Sequence, residues 1–347
     1  MKVRQLLPWA SAVLAVAALA AAALSASAAP SKSGATTVRA AVVTDIGGLN
    51  DKGFNHLSYV GLQRAQKQLN VQGRAYVTNS ANERIPNLRA AAQSGYGLVI
   101  GVGFLMFEPL DKVAGSFPDT KFAGVDVPYA LIASKPKNVR GLIFKEQEAG
   151  YLAGYIAGLV VKDQRGSDII SAVGANKVPA IVKFIAGYRA GAKRANRGVR
   201  VLVNYANDPT FADQAKCKET TLDQIARGSK IAFMAAGQCG LGGLNAAKER
   251  KIWGIGVDAD QSFLGKHILT SATKKVDVAV FQTIRAFKNN PTAFRGGFDK
   301  VFDVKTGAVG YGKLSTRLTK AKRTEYTTKV EKIRKLIASG KIKPPTS

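Results

Sequence analysis

Histidine is nearly absent from this 347-residue chain. The two present, His56 and His267, have no spaced partners of the kind that build a metal cluster or a hydrolase triad. Metal-assisted and nucleophilic catalysis are therefore disfavoured. Cysteine is equally scarce, with only Cys217 and Cys239. Also missing are a fixed-period repeat, a low-complexity linker, a helix-turn-helix or zinc signature, and the Gly-x-Gly-x-x-Gly spacing of a dinucleotide loop. Acidic residues are few: 23 Asp and Glu stand against 51 Lys and Arg, a net charge of +28. Such an excess suits an anionic neighbour (a membrane or envelope polymer, nucleic acid, an acidic ligand), although a solvated basic surface is the plainer reading. With 46% hydrophobic and 21% charged residues, the chain is of ordinary globular composition and not largely disordered. Its length suits two lobes, because single cores stop growing near ~250–300 residues.

The N-terminus reads as a secretory signal peptide over residues 1–29. Lys2 and Arg4 precede a continuous apolar, Ala-rich run from Trp9 to Leu24, and Ala26-Ser27-Ala28 supplies the small-residue cleavage site. Residues 30–37 follow as a short disordered lead. An uncleaved apolar anchor is the alternative, since the run approaches the length of a membrane span.

The chain is organised around Val42-Val43-Thr44-Asp45-Ile46-Gly47-Gly48-Leu49-Asn50-Asp51-Lys52-Gly53-Phe54-Asn55. A buried strand over Val38–Val43 ends in a polar loop, and a helix begins with Phe54, Leu57, Leu62 and Ala65 at helical spacing. Asn50 and Asp51 stand as candidate N-caps. In open α/β sheets ligands bind beyond the carboxyl ends of the strands, where Asp45, Asp51, Phe54 and Asn55 would sit. Strands over 74–78, 98–103 and 122–127 alternate with helices over 87–94 and 107–116, the pattern of a parallel sheet covered on both faces. A second lobe repeats the plan with strands over 169–173, 199–204, 231–235 and 253–257. Between the lobes, glycines recur every four residues from Gly150 to Gly158 on one helix face, which suggests close packing against a sheet. Gly237-Gln238-Cys239-Gly240 follows a strand and opens a helix, so it is either a place where backbone N–H groups approach a ligand or a tight turn. Cys217 and Cys239 each lie just after neighbouring strands, near helix starts. One disulfide is expected in an exported chain, two buried thiols being the alternative.

The motif Thr-Asp-x-Gly-Gly-x-x-Asp-Lys-x-Phe-Asn resembles the opening of the basic membrane protein family, the purine-nucleoside-binding proteins of ABC transporters. Similar segments follow in order: Gly101-Val102-Gly103-Phe104, Phe144-Lys145-Glu146, Ala153-Gly154-Tyr155-Ile156-Ala157-Gly158, Gly187-Tyr188-Arg189-Ala190-Gly191, Gly256-Val257-Asp258-Ala259-Asp260-Gln261 and Leu269-Thr270-Ser271. The resemblance implies a two-lobed type I periplasmic-binding-protein fold, each lobe a parallel sheet with helices on both faces and a ligand cleft between them. Lobe one would comprise 38–144 plus about 272–298, and lobe two 145–271 plus about 299–347, including short strands at 301–304 and 307–311. A basic amphipathic helix over 324–338 closes the chain. Family members often carry a lipidated cysteine at the cleavage site, and here no cysteine precedes Cys217. A periplasmic or envelope-associated monomer is expected.

The resemblance also implies a purine stacked between Phe54 and Phe211. Asp45, Asn55 and Asp126 would approach the base or ribose, with Gly237 at a helix start. Asp258 would read two ribose hydroxyls, and Lys274 would donate to a ribose oxygen and offset the charge of Asp258. The expected partners are a small-molecule ligand and a membrane permease, with an anionic envelope surface as a further electrostatic contact. No cofactor, catalytic residue, metal or nucleic acid is expected. A nucleoside hydrolase or transferase on the same cleft, or a binding protein for another small molecule, are the alternatives.

Overall fold

The computed structural model describes residues 37–164 and 166–347. The signal peptide expected over 1–29, and all but the last residue of the lead, lie outside them. In chain order the first elements are β1 (Arg39–Val43), α1 (Phe54–Leu69), β2 (Gln72–Tyr76), α2 (Arg84–Gln93), β3 (Leu98–Val102), α3 (Phe107–Ala114), β4 (Lys121–Val125) and β5 (Val139–Phe144). A second series follows: α4 (Glu146–Lys162), β6 (Ile169–Gly174), α5 (Pro179–Ala195), β7 (Arg200–Tyr205), α6 (Gln214–Ala226), β8 (Ile231–Ala235), α7 (Cys239–Glu249), β9 (Trp253–Asp258) and β10 (Ile268–Lys274). The chain ends with α8 (Val276–Asn289), β11 (Phe298–Phe302), β12 (Val309–Tyr311) and α9 (Lys320–Ala338).

Two six-stranded sheets result, ordered β11-β5-β4-β3-β1-β2 and β12-β10-β9-β8-β6-β7. The first is parallel throughout, and in the second only β12 runs antiparallel, against β10. The inner strands are apolar on both faces because helices cover both. In β1, Ala40 and Val42 join one buried cluster with Leu62 of α1 and Val280 of α8, while Ala41 and Val43 join another with Leu88 of α2 and Leu110 of α3. The period-two alternation of a strand thus feeds two separate packing layers. In each sheet the strand order reverses beside the first strand of the lobe, and ligand crevices of doubly wound sheets open at such a switch point.

Two expectations need correction. The strand expected over 301–304 was placed in lobe two, yet β11 pairs with β5 in the sheet of lobe one. Lobe one therefore closes with a segment donated after α8, and the chain crosses between the lobes three times. The crossings run side by side: Lys145 N–H donates to the Phe302 carbonyl at 2.9 Å and Lys275 N–H to the Ala308 carbonyl at 2.7 Å. The strand β5, whose run Val139-Arg140-Gly141-Leu142-Ile143-Phe144 mixes a charged residue with apolar ones, was not anticipated at all.

The second correction concerns the glycines of α4. They pack against a helix, not the sheet: a Cβ on Gly150, Gly154 or Gly158 would overlap the carbonyl oxygens of Phe184, Tyr188 or Ala192 on α5. The contact is reciprocal, since Gly187 and Gly191 of α5 lie on the carbonyls of Gln147 and Tyr151. Small residues at four-residue spacing let the two backbones meet, and each removes the Cβ that would hold them apart. Elsewhere in lobe two, Cys217 of α6 and Cys239 of α7 are joined by a disulfide, with their Cα atoms 5.5 Å apart.

We predict that Gly154→Ala lowers stability by roughly 1–3 kcal/mol, the usual cost of overfilling a packed interior. Denaturant unfolding should locate the loss, and a midpoint equal to wild type would mean that the α4–α5 contact tolerates a methyl group.

Candidate ligand-binding site

Where the carboxyl ends of the two sheets face each other, they enclose a cavity. All nine residues singled out from the sequence line it: Asp45, Asp51, Phe54, Asn55, Asp126, Phe211, Gly237, Asp258 and Lys274. Asp45 follows β1 and Asp126 follows β4 of lobe one. Gly237 follows β8, Asp258 closes β9 and Lys274 closes β10 of lobe two. Two left-handed residues turn the chain at matching places, Asp126 (φ 62°) and Asp258 (φ 62°). A non-glycine residue there is strained, and such strain is concentrated at functional positions. Phe211 (φ 59°) and Gly237 (φ 57°) are left-handed as well, and Cys239 N–H donates to the Phe211 carbonyl at 2.9 Å. Gly237 is thus part of a turn that carries Phe211 to the cavity wall.

The opening loop is built around two carboxylates. Asp51 accepts from the backbone N–H groups of Gly53 (3.0 Å), Asn55 (2.7 Å) and His56 (3.0 Å), so its charge satisfies the start of α1. The N-cap position itself is Gly53, not Asn50 or Asp51. Asp45 is partly committed: its Oδ1 receives Arg84 Nε at 2.8 Å and the Ile46 N–H at 2.8 Å. Asn55 donates through Nδ2 to the carbonyls of Asp45 (3.3 Å) and Ile46 (3.1 Å), which leaves Oδ1 buried without a partner.

Lys274 departs from its expected role. Its Nζ lies 2.5 Å from Asp126 Oδ2 and 3.0 Å from Glu146 Oε1, and the side chain is 1% exposed. The pairing expected with Asp258 is replaced by a bridge from lobe two to Asp126 of lobe one. Asp126 is correspondingly half-used, with Oδ1 buried and unpartnered. Phe54, Phe144 and Phe184 ring the ammonium, at 5.1, 4.9 and 5.9 Å from their centroids. Burial opposes the charge of Lys274, but Asp126, Glu146 and Asp258 outweigh it and hold its pKa above the ordinary lysine value. A second link between lobes runs from Gln261 Nε2 to the Lys52 carbonyl at 3.3 Å.

Asp258 is buried, and among the described residues no donor hydrogen-bonds its carboxylate. Burial first, then Asp126, Asp51 and Glu146, push its pKa up to about 7, against the downward pull of Lys274. Asp51 is also raised by burial, against its three backbone donors. Glu146, Phe104, Phe184 and Ile181 escaped the sequence reading of the site. Glu146 and Phe104 lay within motifs, but nothing local indicated that they would meet Lys274 or the cavity.

Two facing α/β lobes with an enclosed, aromatic and hydrogen-bond-rich cavity at their junction constitute a solute-binding protein. Residues 38–346 match the family described as ABC transporter substrate-binding protein PnrA-like (Bmp), and the chain belongs to that family. The ABC transporter nucleoside-binding protein BmpA of Lactococcus lactis is 32% identical over 334 residues, covering 90% of this chain and 92% of its own. An uncharacterized lipoprotein of Pyrococcus furiosus is 34% identical over 289 residues, or 80% of this chain and 70% of its own. Among solved structures, a solute-binding protein of an ABC transporter system from Aeropyrum pernix superposes with a TM-score of 0.76 at 28% identity. It covers 89% of this chain and 94% of its own. Among the described residues no helix is long and apolar enough to cross a membrane.

Asp258 makes stability pH-dependent with a definite sign. Its folded pKa, about 7, lies above the ordinary carboxylate value of 3.8, so a penalty for ionising it in the fold accumulates as pH rises from about 4 through 7. We predict that Asp258→Asn raises the melting temperature of the ligand-free protein at pH 8 and that the gain shrinks toward pH 4. Equal shifts at both pH values would mean that the Asp258 charge is not strained.

Proposed function

We propose that this protein captures a purine nucleoside between its lobes, outside the cytoplasmic membrane, and hands it to the permease of an ABC transporter. The observation that carries this reading is a set of buried acceptors without donors, Asn55 Oδ1 and Asp126 Oδ1, together with the unbonded carboxylate of Asp258, in a cavity walled by Phe54 and Phe211. Buried polar atoms of this kind are costly unless a ligand supplies hydrogen-bond donors. A nucleoside supplies them at two ends, as base N–H groups and as ribose hydroxyls, and its flat base offers both faces to aromatic rings. The nucleoside-binding name of the Lactococcus lactis relative points the same way. The bridge from Lys274 to Asp126 and the contact from Gln261 to Lys52 cross the cleft and would close the lobes over the ligand. The protein would act as a monomer, its basic exterior facing the anionic envelope.

The direct test is mass spectrometry of small molecules released from the purified protein, supported by a ligand-dependent rise in melting temperature. Release of a sugar or an amino acid in place of a nucleoside would overturn the reading. A carboxylate with a pKa near 7, such as Asp258, would also suit a general base. Chromatography after incubation distinguishes the two: intact nucleoside supports capture, whereas free base and ribose would make the protein a hydrolase.

Two substitutions probe the two ends of the ligand. Phe54→Ala should weaken nucleoside binding by roughly 1–3 kcal/mol, the contribution of one aromatic–base stack. Calorimetric titration reads it, and unchanged affinity with a large fall in melting temperature would make Phe54 a packing residue only. Asp258→Ala should cost about tenfold or more in affinity for a ribonucleoside, from loss of hydrogen bonds to a charged acceptor, and far less for the free base. Equal losses for ribonucleoside, 2′-deoxyribonucleoside and base would remove Asp258 from ribose recognition.

A further inference from the structure

Phe211 stands on the cavity wall in a backbone conformation that its side chain disfavours. Its φ of 59° is left-handed, which is costly for a bulky non-glycine residue and persists only where the surrounding structure fixes it. The loop that carries it spans residues 206–213, between β7 and α6. Its first half is well tied: Ala206 N–H donates to the Gly174 carbonyl at 2.8 Å and Asp208 N–H to the Ala175 carbonyl at 2.9 Å. The buried Asp208 carboxylate then accepts from the Thr210 N–H (2.9 Å), the Thr210 hydroxyl (2.6 Å) and the Asp213 N–H (2.8 Å), so the second half is knitted from within. Among the described residues, one hydrogen bond holds that half against the neighbouring turn between β8 and α7, from Cys239 N–H to the Phe211 carbonyl at 2.9 Å.

The donor of that bond is itself covalently held. Cys239 opens α7, Cys217 lies near the start of α6, and their disulfide joins positions 22 apart. Both cysteines are fully buried and neither lines the cavity, whereas Gly237 and Gln238, immediately before Cys239, do. The two helix starts meet closely: a Cβ on Gly242 of α7 would lie 1.9 Å from the Gln214 carbonyl oxygen of α6, and one on Gly237 would lie 3.3 Å from the Phe211 carbonyl oxygen. A crosslink stabilises a fold wherever it closes a loop. This one fastens the helix that follows Phe211 to the helix that follows Gly237, and so restrains the part of the wall whose backbone has a lower-energy alternative.

We propose that Cys217 and Cys239 are positioning residues for the cavity: their disulfide holds Phe211 in the wall, so that tight capture requires the oxidised pair. This rests on the nucleoside reading above for what stacks on Phe211. The disulfide adds no contact of its own and acts by preorganisation, sparing the ligand the cost of ordering the turn. The bond forms by exchange with the disulfide of an oxidoreductase, which takes up both thiol hydrogens and is left as a dithiol, and it persists in oxidising compartments. An exported chain then becomes a tight binder only after it leaves the reducing cytoplasm, and its precursor does not sequester nucleosides there.

The test removes the disulfide, as Cys217→Ala with Cys239→Ala, in three backgrounds: wild type, Phe211→Ala and Phe54→Ala. Calorimetric titration with adenosine, guanosine and inosine reads affinity, and thermal unfolding verifies that each variant is folded at the titration temperature. Loss of the disulfide should weaken the tightest of the three ligands about tenfold in the wild-type and Phe54→Ala backgrounds, and less than ~2-fold where Phe211 is already gone. A loss under ~3-fold in the wild-type background, or equal losses with and without Phe211, would overturn the proposal. If the double variant does not fold, wild type treated with a phosphine reductant, its two thiols verified by alkylation and mass spectrometry, replaces it in the same titrations. Amide hydrogen exchange of the ligand-free protein supplies a readout that needs no ligand. Faster exchange over residues 208–216 and 236–241, with lobe one unchanged, is expected, and unchanged exchange over those residues would overturn the proposal. If wild type binds none of the three nucleosides, the functional reading falls, while hydrogen exchange still decides whether the cysteines hold Phe211 in place.

Discussion

The ammonium of Lys274 is the charge on which the two lobes depend. It lies at the end of β10, just before the chain crosses into lobe one, and it is withdrawn from water almost completely. Desolvating such a group costs several kcal/mol, and only close, well-oriented carboxylates offset that cost. Here the offset comes from both sides of the cleft, Asp126 from lobe one and Glu146 from the first turn of α4 in lobe two. Removing either acid would leave a buried charge short of a partner, an event that typically costs about 3–5 kcal/mol. The same ammonium lies near the rings of Phe54, Phe144 and Phe184. The salt bridge and the aromatic wall of the cavity therefore share one centre.

Around this centre the cavity is over-supplied with acceptors. Asp51 is consumed in ordering α1 and half of Asp45 in holding Arg84. Asn55 Oδ1, Asp126 Oδ1 and the carboxylate of Asp258 stay available. A carboxylate held near pKa 7 by burial first and by its acidic neighbours second, and without a donor, is under electrostatic strain. A ligand with several N–H and O–H groups relieves that strain without adding charge.

Local order was legible in the sequence wherever neighbours in the chain decide it. The Val-rich run into Asp45, the helical spacing after Phe54 and the repeated alternation of strands and helices all translate into elements within a few residues of their expected bounds, because backbone sterics and apolar periodicity act over short distances. β11 was assigned to the wrong lobe for a physical reason. Its Phe298-Asp299-Lys300-Val301-Phe302 pattern suits an edge strand in either sheet, and only pairing with β5 decides between them. The glycines of α4 announced a close approach, but a missing Cβ fits against a helix as well as a sheet.

What the sequence alone determined is that Asp45, Asp126 and Asp258 stand where an apolar strand run ends, and that Phe54 and Phe211 each follow a strand by a polar loop. The place of Lys274 came from the family resemblance. What only the tertiary structure decided is which of these groups meet. Lys274 and Asp126 are 148 positions apart, and no short-range rule couples residues across that distance. Their pairing, and the exclusion of Asp258 from it, follow from how the two sheets face each other across the cleft, where Lys274 of lobe two reaches Asp126 of lobe one.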